Sequence, residues 1–409
     1  MASAVKFIEG GVCAPQGFRA GAVSCGIKNP KSDRLDLALI FSTAPSIGSA
    51  VFTQNQVCAA PVKLSASYLK SSEPRAVVVN SGNANACTGH PGMRDARAMA
   101  AGASKILGLR QREVQVCSTG IIGVPLPIDR IETKFDELKE SLGDDCEPAA
   151  HAIMTSDTRP KRRAVRFTID GKKVTIGAIA KGAGMINPHM ATMLCFITTD
   201  AAVSKAELTA ATQEAVDLSF NRISVDGDMS TNDTVLVIAN GAAGNKSITR
   251  GGEGSELFRE ALTKLMLSMA KQIVGDGERV TKLVEVQVRG AANKLDAERV
   301  ARAVANSKLV KCSWNGNDPN WGRVIHAIGY SGARIKEEMV DILFDGAIAA
   351  RCGLATDTAI KKLTAAVSQP EFTVTIDLHL GQGEFTLYTS DLSPEYVEFN
   401  REEYAINRR

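Results

Sequence analysis

Residues 165–200 read VRFTIDGKKVTIGAIAKGAGMINPHMATMLCFITTD, and the first half of that stretch settles the sheet type. Val165, Phe167 and Ile169 alternate with polar residues, Asp170-Gly171 supplies a two-residue turn, and Val174 and Ile176 resume the alternation beyond it. That pattern is an antiparallel hairpin. The second half holds a glycine-rich bend after a strand, a Pro188-His189 turn, and small Ala191 ahead of Thr192 at the start of an apolar strand. By residue type alone Thr192 is a strand residue, because β-branched side chains suit sheets.

Outward from the hairpin, strand and helix signals alternate. Ser204 with Glu207 forms a capping box, and Leu208, Ala211, Ala215 and Leu218 share one helical face that ends near Phe220. A second amphipathic helix runs from Ser255 to Val274. Extended segments follow at 223–225, 235–239 and 283–288. After Gly290 the pattern restarts: a helix over 296–306, a strand over 309–313, a helix over 323–329, and a strand over 340–344 before an Asp-Gly turn. A hairpin over 372–388 around Gly381-Gln382-Gly383 closes the series. The restart marks a C-terminal domain from about residue 290. Strongly alternating strands joined by tight turns favour antiparallel sheets with helices outside, an α+β architecture, over a doubly wound parallel sheet.

Composition narrows the function. The chain has 409 residues, 44% hydrophobic and 23% charged, with net charge +3, which suits a globular protein of two or three structural units. No apolar run approaches a membrane span, and residues 1–11 carry no secretory or transit pattern, so a cytoplasmic protein is expected. Nine cysteines without any C-x-x-C pair read as small buried hydrophobes. The basic cluster Arg159, Lys161, Arg162, Arg163 and Arg166 lacks interleaved aromatics and reads as a solvated loop face, so nucleic acid is not expected. GAAGNKS at 241–247 misses the glycine before the lysine of a phosphate loop, and no G-x-G-x-x-G follows a strand. The acidic run 225–233 has its glycine in the wrong place for a calcium loop and reads as a structural turn. The histidines His90, His151, His189, His326 and His379 make no metal-ligand spacing, and no G-x-S-x-G elbow is present.

Thr192 has one chemical property that an ordinary strand threonine lacks. If the Ala191–Thr192 bond is cut, the new α-amino group stands beside its own hydroxyl and, with a pKa of about 7.7 to 8.0, serves as its base. The segment KGAGMINPHMATML (181–194) resembles the processing site of the ornithine acetyltransferase (glutamate N-acetyltransferase) family, whose precursors cut themselves between Ala and Thr. Further segments resemble the same family in order along the chain: Gly10-Gly11-Val12, Val51-Phe52-Thr53, Asn80-Ser81-Gly82-Asn83-Ala84-Asn85, Met154-Thr155-Ser156-Asp157-Thr158, Val225-Asp226-Gly227-Asp228 and Asp318-Pro319-Asn320-Trp321-Gly322-Arg323.

The resemblance implies an α chain of residues 1–191 and a β chain of 192–409, with 192–289 completing the catalytic core and 290–409 forming a C-terminal α/β domain. It implies an α/β/β/α sandwich of the self-cleaving amidase type. It also implies that Thr192 is the nucleophile, Thr119 and Gly120 of the Ser118-Thr119-Gly120 segment form the oxyanion hole, and Lys181, Glu278 and Asn400 bind substrate with Thr192. The implied reaction moves an acetyl group from N2-acetyl-L-ornithine to L-glutamate without metal or cofactor, acetyl-CoA being a second donor in some members. The α and β chains stay together, in oligomers of αβ units.

Two departures from the family pattern stand out. Glu278 is followed by Arg279-Val280 in place of small residues, and after Asn400 the chain lacks the terminal Ser or Thr ligand, for which Asn407 is a substitute. Three other readings compete: an amidohydrolase or aminopeptidase on the same scaffold, a non-catalytic amino-acid-binding protein, and a metal enzyme built on Asp226 and Asp228.

Overall fold

A computed structural model of the chain describes residues 5–187 and 193–406. Among these, two compact units separate: 5–182 with 193–221 and 228–273, and 183–187 with 222–227 and 274–406.

In the first unit the strands are β1 (Lys6–Ile8), β2 (Phe18–Val23), β3 (Leu37–Ser42), β4 (Ile47–Phe52), β5 (Ala76–Asn80), β6 (Val114–Ser118), β7 (Lys161–Ile169), β8 (Lys172–Lys181), β9 (Leu194–Thr199) and β10 (Thr234–Ala239). The helices are α1 (Ala60–Leu69), α2 (Gly89–Leu107), α3 (Ile128–Glu132), α4 (Phe135–Glu140), α5 (Glu147–Ala152), α6 (Lys205–Asp217) and α7 (Ser255–Val274). One sheet runs β1-β7-β8-β9-β10-β4 and the other β2-β3-β5-β6. The β7–β8 hairpin forms as expected, with Asp170 and Gly171 at φ +50° and +72°, a primed turn that matches strand twist.

The two sheets stack face to face. Ile179, Leu194, Phe196, Leu236 and Ile238 of the first sheet interdigitate with Phe18, Ala20, Ile40, Val77 and Val79 of the second. The far face of the second sheet, through Leu39, Val78 and Val116, packs on Leu64 of α1 and Met99 and Ala103 of α2. On the outer side of the first sheet α6 lies along β4, and Arg259 of α7 reaches Glu207 of α6 at 2.7 Å. The order helix, sheet, sheet, helix is the expected α/β/β/α sandwich. Ser204 caps α6 by accepting from the Glu207 N–H, but the Glu207 carboxylate does not return the bond; it accepts from Ser255 and Arg259 instead.

The second unit contains β11 (Leu283–Ala291), α8 (Lys294–Asn306), α9 (Lys308–Asn315), α10 (Trp321–Gly329), β12 (Asp341–Phe344), β13 (Ala347–Arg351), β14 (Leu354–Ala355), α11 (Ile360–Val367), β15 (Glu371–Asp377), β16 (Gly383–Ser390) and α12 (Pro394–Ile406). Its sheet runs β14-β13-β12-β15-β11-β16. Val284, Val286 and Val288 of β11 bury one face against Val300 and Val304 of α8.

The cysteines, expected to be buried, are not uniformly so: Cys117, Cys146 and Cys195 are buried, whereas Cys87, Cys312 and Cys352 are exposed. Three further expectations fail. Residues 309–313 are helical, because Ser307 caps the turn and Val310 and Trp314 bury at i, i+4 while Leu309 and Cys312 stay exposed. β15 and β16 are not a hairpin: β11 lies between them, parallel to one and antiparallel to the other. Their connection wraps the end of β11, with the N–H groups of Leu378, Leu380 and Gly381 donating to the carbonyls of Arg289 and Gly290. A side chain at Gly383 would lie 2.2 Å from the Asn293 carbonyl oxygen, so only glycine passes there. Finally, Lys161 to Arg166 form strand β7, not a solvated loop, and Lys161 is fully buried. Each of the three sheets also holds one parallel pair, β9–β10, β5–β6 and β11–β15.

Candidate active site

Segments 51–53, 80–85, 118–120 and 230–233 meet at one end of the sandwich, where β6 stops and β9 and β10 begin, while 318–323 lies in the second unit. Asn80, at the end of β5, accepts from the Ser118 hydroxyl at 2.5 Å through its side chain and from the Thr119 N–H at 3.0 Å through its carbonyl. Its own amide donates to the Asn83 carbonyl. Asn232 donates to the carbonyls of both Ala84 (2.6 Å) and Ser118 (2.8 Å). Thr53 donates from its hydroxyl to the Ser230 carbonyl and from its N–H to the Asp233 carbonyl. Stretches scattered between residues 53 and 233 thus share one hydrogen-bonded cluster.

Thr119 and Gly120 lie where this cluster leaves them no freedom. Gly120 has φ +131°, and a Cβ there would stand 2.4 Å from the Gly82 carbonyl carbon, so the loop requires glycine. Among the described residues, neither the Thr119 hydroxyl nor the Gly120 N–H donates a hydrogen bond. Two donors without a protein acceptor among the described residues, on a loop anchored by Asn80 and Asn232, are a chemistry an oxyanion could use.

Lys181 ends β8 at 2% exposure and lies among charged groups. Asp157 accepts from the Lys161 ammonium at 2.6 Å and from the Gly182 N–H at 2.7 Å. Burial pushes the Asp157 carboxyl up, but Lys181, Lys161 and the backbone donors outweigh it and hold it at about 2. Asp233 is different. Burial, eased only in part by the Met193 N–H, Lys181 and the Ser230 hydroxyl, raises its carboxyl to about 8. Its Oδ1 accepts from the Met193 N–H at 2.9 Å. Sequence reading placed Asp157 in a motif without a role and Asp233 in a structural turn; nothing in residue type marks a carboxyl as buried. The turn reading does fit Asp226, which accepts from the N–H groups of Met185 and Ile186.

In the second unit Glu278 and Asn400, 122 residues apart, meet: the Asn400 amide donates to Glu278 at 3.1 Å. Glu278 also donates its N–H to the Ala183 carbonyl, and a side chain at Gly184 would strike its carboxylate at 2.3 Å. Arg279, the residue that departs from the family pattern, has φ +57° and places its guanidinium over the Phe399 ring at 5.0 Å. Ala191, Thr192 and Asn407 lie outside the described residues. Cys195, close in sequence, is a buried strand residue of β9.

Comparison with known proteins points one way. The model of the ArgJ family matches residues 19–405. The arginine biosynthesis bifunctional protein ArgJ of Geobacter sulfurreducens is 51% identical over 387 residues, covering 94% of this chain and 98% of that protein. The glutamate N-acetyltransferase of Methanocaldococcus jannaschii is 43% identical over 413 residues, covering 97% and 99%. A crystallised argJ chain from Bacillus halodurans is 39% identical and covers 51% of this chain and 98% of its own, with TM-score 0.49.

Proposed function

Because this chain belongs to the ArgJ family, we propose that it transfers the acetyl group of N2-acetyl-L-ornithine to L-glutamate, in arginine biosynthesis, through an acetyl ester on Thr192. The match over 19–405, with relatives of 43–51% identity named for this pathway and this transfer, carries the assignment.

The chain cuts itself between Ala191 and Thr192 into 1–191 and 192–409. Within the second piece, 193–221 and 228–273 belong to the first unit and 222–227 with 274–406 to the second, so the division falls near residue 274 and not at 290 as read from the sequence. The freed amine of Thr192 takes the proton of its hydroxyl as the oxygen attacks the N-acetyl carbonyl. The oxyanion forms against the Thr119 hydroxyl and the Gly120 N–H, which are fixed beforehand and cost no reorganisation. The proton passes to the departing ornithine amine as the C–N bond breaks, and the glutamate amine then takes the acetyl group by the reverse path. Lys181 holds a substrate carboxylate, and Glu278 with Asn400 takes the cationic end. No cofactor enters these steps. Acetyl-CoA is the second donor, a role consistent with the word bifunctional in the bacterial relatives' names. The two pieces remain associated in a higher oligomer, in the cytoplasm; no helix of the described chain is long and apolar enough to cross a membrane.

A denaturing gel with an activity assay tests this. Wild type should run as two bands and form N-acetylglutamate only when glutamate is present; Thr192→Ala should run as one band and be inactive. Acetate release without glutamate dependence would make the protein a hydrolase, and an uncut wild type would refute the mechanism.

A further inference from the structure

Cys13 and Cys146 are far apart in sequence and side by side in the first unit, where Cys146 is 3% exposed and the half-buried Cys13 packs on the same apolar cluster. The Cys146 sulfur sits against the turn that carries Cys13, since a Cβ at Gly11 would lie 2.6 Å from it. Cys13 gives that sulfur two hydrogen bonds, one from its thiol and one from its backbone N–H. The Cys13 sulfur also lies 3.8 Å from the carbonyl oxygen of Gly143, just ahead of Cys146.

Both partners are held by the fold. In the turn over 10–15 the Ala14 N–H donates to the Gly11 carbonyl at 2.9 Å, and the Thr198 hydroxyl of β9 donates to the Val12 carbonyl at 2.7 Å. Gly11 lies so close to β8 that a side chain at Gly177 would stand 1.9 Å from its carbonyl oxygen. Cys146 directly precedes α5, which packs on β2 and β3. Two sulfurs in hydrogen-bonding contact, each on a fixed support, are already near the separation that a disulfide requires.

We infer that Cys13 and Cys146 are a peroxide-responsive modification site, closing to a reversible disulfide that staples the turn after β1 to the start of α5. Cys146 is the attacking sulfur. The thiol and N–H of Cys13, with Arg162 nearby, favour its thiolate against burial and Asp145, while donation to Cys146, burial, Asp144 and Asp145 push the Cys13 thiol up. The Cys146 thiolate takes one oxygen of hydrogen peroxide: S–O forms, O–O breaks, and the released hydroxide takes a proton and leaves as water. The Cys13 sulfur then attacks the sulfenic sulfur: S–S forms, S–O breaks, and the Cys13 proton leaves with that hydroxide as a second water. Two electrons pass from the sulfurs to peroxide, and a dithiol returns them. All four strands of the second sheet, β2, β3, β5 and β6, lie between the two cysteines, so the closed ring encloses that sheet together with Thr119 and Gly120. Both cysteines precede residue 191, so the ring forms whether or not the chain is cut.

The test treats the full chain with a few equivalents of hydrogen peroxide near neutral pH, blocks free thiols with N-ethylmaleimide and maps the peptides by mass. The expected product is a peptide pair linked through Cys13 and Cys146 within one molecule, released by dithiothreitol. Because the ring restricts about 130 residues of the unfolded chain, the thermal midpoint should rise by about 10 °C on oxidation and fall back with dithiothreitol. Cys13→Ser, at a half-buried turn position, should show neither change. No linked pair, recovery of Cys146 as sulfinic or sulfonic acid in its place, or a linked form no more heat-stable than the reduced one would overturn the inference. The mapping uses wild type, so a variant that fails to fold does not stop the decision. An uncut chain or glutamate-independent acetate release would refute the acyl-transfer reading without touching this one.

Discussion

Replacing Asp157 by Asn removes the counter-charge of a lysine that has no access to water. Lys161 is fully buried and its ammonium lies 2.6 Å from Asp157. Breaking one side of a buried pair costs about 3–5 kcal/mol, because the remaining charge is stranded. The same pairing shows a second time in titration. The Asp157 carboxyl is lowered from 3.8 to about 2, and at about 1.4 kcal/mol per pH decade this contributes about 2–3 kcal/mol. A depressed carboxyl stabilises fully above its unfolded value of 3.8 and loses that contribution as pH falls through the folded value near 2. About half of it should be gone by pH 3. Urea unfolding of wild type and Asp157→Asn at pH 7 and pH 3 measures both components: the penalty should be several kcal/mol at pH 7 and smaller by about 1 kcal/mol at pH 3. A penalty below about 1 kcal/mol at pH 7, or one that does not change with pH, would refute the argument.

Gly120→Ala should cut kcat by about 100-fold, since the new methyl must displace the loop from Gly82 and carry the Thr119 and Gly120 donors with it; turnover within threefold of wild type would exclude the loop from oxyanion binding. Lys311, buried in the second unit against Thr389 and the Ser390 carbonyl, is pushed by burial down to about 7 despite Asp391 and Asp226. Its contribution to stability is complete above the ordinary lysine value of 10.5 and is lost as pH falls through 7, so thermal stability should rise between pH 7 and 10 in wild type and flatten in Lys311→Met. Equal slopes in the two proteins would show that the lysine is solvated.

Where local chemistry decides, the sequence was a sufficient guide. The β7–β8 hairpin followed from alternation around Asp170-Gly171, and the helix from Ser255 to Val274 appeared with those limits. Segment 309–313, Leu-Val-Lys-Cys-Ser, was misread because five residues are too few to separate the strand period from the helical one, and burial of Val310 and Trp314 selected the helix. The 372–388 pair was misread because turn residues show that the chain reverses, not that the returning strand lands beside its predecessor. Lys161 looked solvated because a lysine's burial depends on a partner, Asp157, that residue type does not announce.

The candidate site divides the same way. Thr119, Gly120, Lys181, Glu278 and Asn400 were named as candidates through the family resemblance of their segments, since residue type alone reads each of them as a turn, surface or loop residue. Which of them touch was not legible: the bond between Asn400 and Glu278, the two donors without a partner among the described residues at Thr119 and Gly120, and the anchoring of the Ser118 and Ala84 carbonyls by Asn232 exist only after folding. Residue order encodes chemical identity and local conformation. Desolvation and hydrogen-bond partnership are properties of the packed interior, so it is the fold that holds Asp157 low, near 2, beside its lysines and raises Asp233 to about 8.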